Sequence, residues 1–195
     1  MARDAIEDPS LLPEIFNGVH STNARTRYGC AKILRIISEE NPKMLYPRMD
    51  FFTELLESDK RVLKWNALYI IANLAKVDVE NKFDDIFDKY YGLLNAEYMV
   101  TVANVVGNSG KSAKAKPHLT QRITNELLKI ENLTVKSHLT QECKNILIGH
   151  AIAAIDMYFD QIGNKEEAIS FVKRQLNNTR NATKIKAKKF LEKIN

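Results

Sequence analysis

The sequence predicts an all-α chain, a superhelix of about five helical pairs, and three observations carry that prediction. Seven glycines and five prolines in 195 residues, the last proline being Pro117, supply too few turn-formers for an all-β sandwich. Apolar residues recur three or four positions apart, as in Ile123, Leu127 and Leu128 or in Ile169, Val172 and Leu176, which is the spacing of one helix face. The chain also repeats itself. Residues 27–38 align with residues 64–75 at an offset of 37, and residues 105–110 fall 35 positions after residues 70–75.

Each of these segments follows a shorter amphipathic stretch, at Leu11 to Phe16, Phe51 to Leu56 and Ile86 to Leu94, so the unit is a short helix, a turn and a longer helix. Asp8-Pro9 and Asn17-Gly18 bracket the first helix, Asn41-Pro42 ends the first long one, and Ser58-Asp59 offers a cap before a helix opening at Lys60. Val100 to Val106 is rich in β-branched residues and extended by propensity alone, but its repeat register makes it helical. Gly107 and Gly110 then read as that helix's end, with Lys111, Lys114 and Lys116 suited to a C-terminus. A fourth unit runs Leu119 to Ile130 and Val135 to Ile162. A fifth runs Lys165 to Asn177 and Ala182 to Ile194, capped by Asn164 with Glu166 and Glu167 in its first turn. The expected organisation is one domain over 1–195, with repeats near 9–43, 47–82, 84–114, 118–162 and 165–194.

No run approaches the roughly 20 apolar residues of a membrane span, and Asp4, Glu7 and Asp8 stand where a signal peptide needs an apolar core, so a cytoplasmic protein is expected. Cys30 and Cys143 lie in apolar periodic segments and read as reduced small hydrophobes rather than a disulfide. The Asn-x-Thr triplets at Asn132, Asn177 and Asn181 are incidental on that reading. The net charge of +5 is uneven: residues 1–100 hold 13 Lys and Arg against 16 Asp and Glu, residues 101–195 hold 16 against 8. The basic segment from Lys173 to Lys193 suits a polar end cap, with phosphate contact as the alternative.

Asn23 to Ala31 and Asp59 to Ala67 resemble the second-helix openings of HEAT and armadillo-like repeats: a turn Asp or Asn, a basic or apolar residue, then small residues. The chain from Asn41-Pro42 through Ile70-Ile71-Ala72-Asn73 to Arg180-Asn181-Ala182 is similar to small prokaryotic HEAT-repeat proteins. The resemblance implies a right-handed α-α superhelix whose second helices line a concave face, acting as a non-catalytic scaffold for a protein or peptide segment.

Candidate chemistry is sparse. Gly107-Asn108-Ser109-Gly110-Lys111-Ser112 imitates the end of a phosphate-binding loop, but the first glycine that loop requires falls on Val105. His118, His138, Cys143, His150 and Glu142 lack the close pairing of a zinc site, and no cofactor or metal is implied. Neither cysteine has a histidine fixed nearby for nucleophilic catalysis. The informative signal is a stripe in repeat register: Asn66, Tyr69, Asn73 and Lys76 recur 35 residues later as Thr101, Asn104, Asn108 and Lys111. With Arg25, Tyr28, Lys32, Arg35 and Trp65 these residues, Thr101 apart, form the candidate binding face. A groove of amides, aromatics and cations suits a peptide, and equally nucleic acid through phosphate contacts and stacking. The rival reading is a HEAT-like glycosylase of alkylated DNA, for which Trp65, Tyr69, Arg25, Lys32 and Arg35 would form the groove. The chain departs from that pattern in having one Trp and no carboxylate in the stripe.

Overall fold

The structure, a computed structural model, describes residues 1–194. Two compact units divide it, Met1–Tyr90 and the residues from Tyr91 onward. In the first unit the helices are α1 (Ala2–Glu7), α2 (Leu12–Gly18), α3 (Ala24–Glu40), α4 (Pro42–Leu45), α5 (Met49–Leu55), α6 (Arg61–Leu74) and α7 (Lys82–Asp85). Helix α8 (Phe87–Gly92) spans the boundary. The second unit continues with α9 (Met99–Ala115), α10 (Thr120–Leu128), α11 (Gln141–Asp156), α12 (Lys165–Arg174) and α13 (Asn181–Ile194). No strand occurs among the described residues beyond one isolated bridge between Lys136 and Leu139.

In the first unit α3 packs on α6, with α2, α4 and α5 against the same two helices. Leu34, Ile37, Phe52, Leu68, Ile71 and Phe83 are fully or almost fully buried there. Asn23 starts α3 by accepting the Thr26 N–H at 3.1 Å, and Asn41-Pro42 stops it, the Asn41 amide closing on Ile37 O at 2.7 Å. Helix α6 begins at Arg61 with no side-chain cap; Ser58 Oγ accepts only the Lys60 N–H, one step outside. A buried Leu, Ile or Phe contributes about 1.5–3 kcal/mol against about 1 kcal/mol for a cap, so packing alone suffices to hold α6. Past α6 the chain turns through Asn81, at φ 58°, and is fastened by Asp78. That carboxylate accepts Tyr46 Oη–H at 2.7 Å and the Lys82 and Phe83 amides at 2.9 Å, while Tyr46 Oη accepts the Glu80 N–H at 3.0 Å.

In the second unit α11 packs against both α9 and α13, with α10 and α12 behind them. Val102, Val105, Ile123, Leu127, Leu147, Ile155 and Phe171 form its core. The β-branched run from Val100 to Val106 is helical, since Val102, Val105 and Val106 are buried against packed neighbours, which outweighs intrinsic preference. Two expectations are corrected. Gly107 and Gly110 do not end a helix: α9 runs through them to Ala115, because Gly110 is where α11 comes close. A methyl there would meet Met157 Sδ at 2.5 Å and Ala154 O at 3.1 Å. The helix expected from Val135 starts at Gln141 instead, where Thr140 caps it by accepting the Cys143 amide at 3.2 Å. Residues 133–140 form a loop closed by reciprocal Lys136 and Leu139 backbone bonds at 2.9 and 3.0 Å. Asn164 caps α12 as the sequence indicates, accepting the Glu166 N–H at 3.2 Å.

Candidate functional site

Four of the residues singled out in the sequence meet in the first unit. Tyr28, Lys32 and Arg35 of α3 and Asn66 of α6 line a depression of about 380 Å³, together with Glu39, Ile36 and Val62. The 3.6-residue period places Tyr28, Lys32, Arg35 and Glu39 on one face of α3, and Val62 and Asn66 one turn apart on α6. Ile36 and Val62 supply apolar surface beneath polar walls.

Arg35 makes two contacts at this groove. Its guanidinium lies over the Tyr69 ring, Cζ 4.1 Å from the centroid, and its Nε is 3.5 Å from Glu39 Oε1. The ring attracts the guanidinium from one side, and the long Nε–O distance leaves the ion pair loose beside the 2.7–2.9 Å usual for a charge-assisted bond. At the other end Arg27 lies over Tyr28, Cζ 4.7 Å from the centroid, and is tied to the preceding turn through Ser21 O at 2.8 Å and Thr22 O at 3.2 Å. Lys32 and Arg25 are exposed and form no ion pair among the described residues.

The other members of the stripe lie elsewhere. Asn73 is 1% exposed, and its Nδ2 donates to Ser38 Oγ at 2.9 Å, so it ties α6 to α3 inside the core. Trp65 and Tyr69 are half-buried, and Lys76 is exposed. In the second unit Thr101 and Asn108 are buried, and Asn104 and Lys111 half-buried. The recurring asparagines share one local habit. Asn66, Asn104 and Asn108 each donate Nδ2 to the carbonyl four residues earlier, at 2.8 Å, to Val62, Val100 and Asn104.

Complementary pairs 37 and 38 residues apart escaped the reading of the sequence. Glu142 pairs with Arg180, Asp156 Oδ1 accepts from Lys193 at 2.7 Å, and Lys186 Nζ donates to Gly149 O at 3.0 Å. Three cations of the basic terminal segment therefore clamp α13 to α11. The acid–base pairs sit one repeat length apart and were visible in the sequence as an offset. The half-buried His150 feels the same cations: burial first, then Lys186 and Arg180, hold its pKa below the usual imidazole range. A further network joins Glu131 to Arg174 and Gln175, at 2.7 and 2.8 Å.

The motif Gly107 to Ser112 is helix interior, its backbone committed to the α9 ladder rather than to a phosphate-wrapping loop. Among the described residues no three of His, Cys, Asp and Glu converge as metal ligands. No helix among them is long and apolar enough to cross a membrane.

No protein-family model matches the chain, and no curated protein does. Solved structures do. The designed armadillo repeat protein YIII(Dq)4CqI superposes with a TM-score of 0.62 at 18% identity, covering 100% of this chain and 86% of that one. The chain has an armadillo-like fold. A second designed armadillo repeat protein, solved in complex with the peptide (KR)4, gives 0.62 at 15% identity over 100% and 85% of the two chains. An engineered protein gives 0.55 at 17%, covering 100% of this chain and 84% of its own. The armadillo-like arrangement of stacked helical repeats is what these superpositions share with this chain.

Proposed function

We propose that this armadillo-like chain is a non-catalytic binding scaffold that seats a peptide or protein segment in the groove between α3 and α6. The observation that carries the reading is that groove itself: polar side chains over an apolar floor of Ile36 and Val62, with Arg35 held in place on Tyr69. Amide and cation walls suit the backbone and side chains of an extended segment, and an apolar floor suits one anchor residue. A designed armadillo protein of similar fold was solved holding a peptide, which supports a segment as the occupant.

Display of random peptides tests it. Peptides enriched on the chain are expected to lose about tenfold or more in affinity for an Ile36→Arg, Asn66→Arg variant, a cost of about 1.4 kcal/mol or more. Enriched peptides that bind the variant as well as the parent would remove the groove from the reading. Phosphate contact by the basic terminal segment finds less support, since Arg180, Lys186 and Lys193 are already engaged along α11.

A further inference from the structure

We infer that the α3–α6 groove selects acidic segments, an Asp or Glu carboxylate being held by Arg35 and Lys32 while the neighbouring apolar side chain rests on Ile36 and Val62. This rests on the groove reading above and adds the chemistry of the partner.

A guanidinium presents five N–H donors in a plane, and its use as a carboxylate clamp depends on that plane being set beforehand. Tyr69 holds the guanidinium of Arg35 against its ring, Cζ 4.1 Å from the centroid, and among the described residues the only acid paired with Arg35 is Glu39, 3.5 Å from Nε. The remaining N–H groups of Arg35 have no acceptor among the described residues. Lys32 lies one turn earlier on the same wall, exposed and without an ion pair among those residues. Two cations with donors to spare thus converge over apolar surface. Glu39 stands beside Arg35 on the side away from Lys32, so an incoming carboxylate is favoured on the Lys32 side of the guanidinium.

Charge complementarity then decides between occupants. The first ninety residues carry 13 Lys and Arg against 15 Asp and Glu, whereas the groove lining itself holds two cations, Lys32 and Arg35, against one acid, Glu39. That local excess of one cation suits a single carboxylate. Basic segments, of the kind held by the designed neighbour, would place like charges against Lys32 and Arg35.

The test uses fluorescein-labelled repeats of Asp-Leu-Gly-Ser, with Asn-Leu-Gly-Ser and Lys-Leu-Gly-Ser counterparts, in anisotropy titrations of the whole chain. The Asp peptide is expected to bind best, and Lys32→Ala with Arg35→Ala to weaken it about tenfold or more. Arg35→Lys, which keeps the charge and loses the fork, is expected to fall between. Lys184→Ala with Lys188→Ala removes the same charge from α13 and is expected to change affinity by less than about twofold. Asn or Lys peptides binding as well as Asp, or Asp binding indifferent to Lys32 and Arg35, would overturn the acid preference. If Ile36→Arg still abolishes binding in that case, the groove survives and only the selectivity falls. If no peptide responds to Ile36→Arg, groove and selectivity fall together. A labelled single-stranded oligonucleotide that binds more tightly than the Asp peptide, and is lost on the same charge variant, would replace the peptide by nucleic acid.

Discussion

At the scale of single residues, the Tyr46–Asp78 fastening concentrates the largest expected effects. Asp78→Ala leaves Tyr46 Oη–H and the Lys82 and Phe83 amides without that acceptor inside the first unit. Each unsatisfied buried group costs about 1–3 kcal/mol, so urea denaturation is expected to show a loss of about 3 kcal/mol or more, against about 1 kcal/mol for Tyr46→Phe. Equal losses would mean that the turn does not depend on the carboxylate. Burial first, then the bond to Asp78, pushes the Tyr46 phenol up to about 12. A phenol raised in the folded state contributes stability that is whole below its unfolded pKa, about 10, and fades as pH climbs toward the folded value. Alkaline unfolding of Tyr46→Phe is therefore expected to be shallower than that of the parent across this window. His150 runs the other way. Its folded pKa lies below the unfolded value of about 6.5, so its share of stability is present above that pH and lost as pH falls below it. His150→Gln should flatten the decline between about pH 6.5 and 5, where most paired carboxylates remain ionised. An unchanged slope would show that the imidazole is solvated in both states.

At the scale of helices, two glycines of one element are expected to respond oppositely. Gly107 is exposed in mid-α9 with nothing within 4 Å of a built methyl, so Gly107→Ala should stabilise by about 0.5–1 kcal/mol through the unfolded chain's lost freedom. Gly110→Ala drives a methyl against the backbone of α11, 3.1 Å from Ala154 O and 3.3 Å from its Cα, and is expected to cost about 1–3 kcal/mol. Thermal melts that moved the same way for both would refute the close approach. The same pair explains what was legible. Caps at Asn23 and Asn164, the stop at Asn41-Pro42 and the helical faces are local or periodic, and the sequence shows them. The meaning of Gly110 depends on Ala154 and Met157, 44 and 47 positions onward, and a local rule therefore took it for a terminus. Asn73 likewise matched the polar stripe in register, but Ser38 on the neighbouring helix makes it a core tie. The groove was half legible: Tyr28, Lys32, Arg35 and Asn66 follow from helix periodicity, whereas the packing of Arg35 on Tyr69 is a contact between helices.

At the scale of the molecule, the question is what the uneven charge does. Residues 101–195 exceed their acids by eight cations, which alone would favour a polyanion. Four of the sixteen cations there are held within the second unit, which leaves the net charge as it is but fixes their side chains: Arg180 on Glu142, Lys193 on Asp156, Lys186 on Gly149 O, Arg174 on Glu131. An ion-paired cation displaces few counterions from DNA, so Arg174, Arg180 and Lys193 add little to a phosphate-binding surface. Titration into a labelled random duplex is thus expected to give weak binding at low salt, absent at about 0.15 M, and indifferent to Lys32→Ala, Arg35→Ala and Lys76→Ala. The acid-selective groove demands that indifference, because its two cations stand apart from the basic half of the sequence. A steep fall in affinity between about 50 and 200 mM salt that those three substitutions abolish would instead make the first unit a phosphate-binding surface, and would call for a base-excision assay.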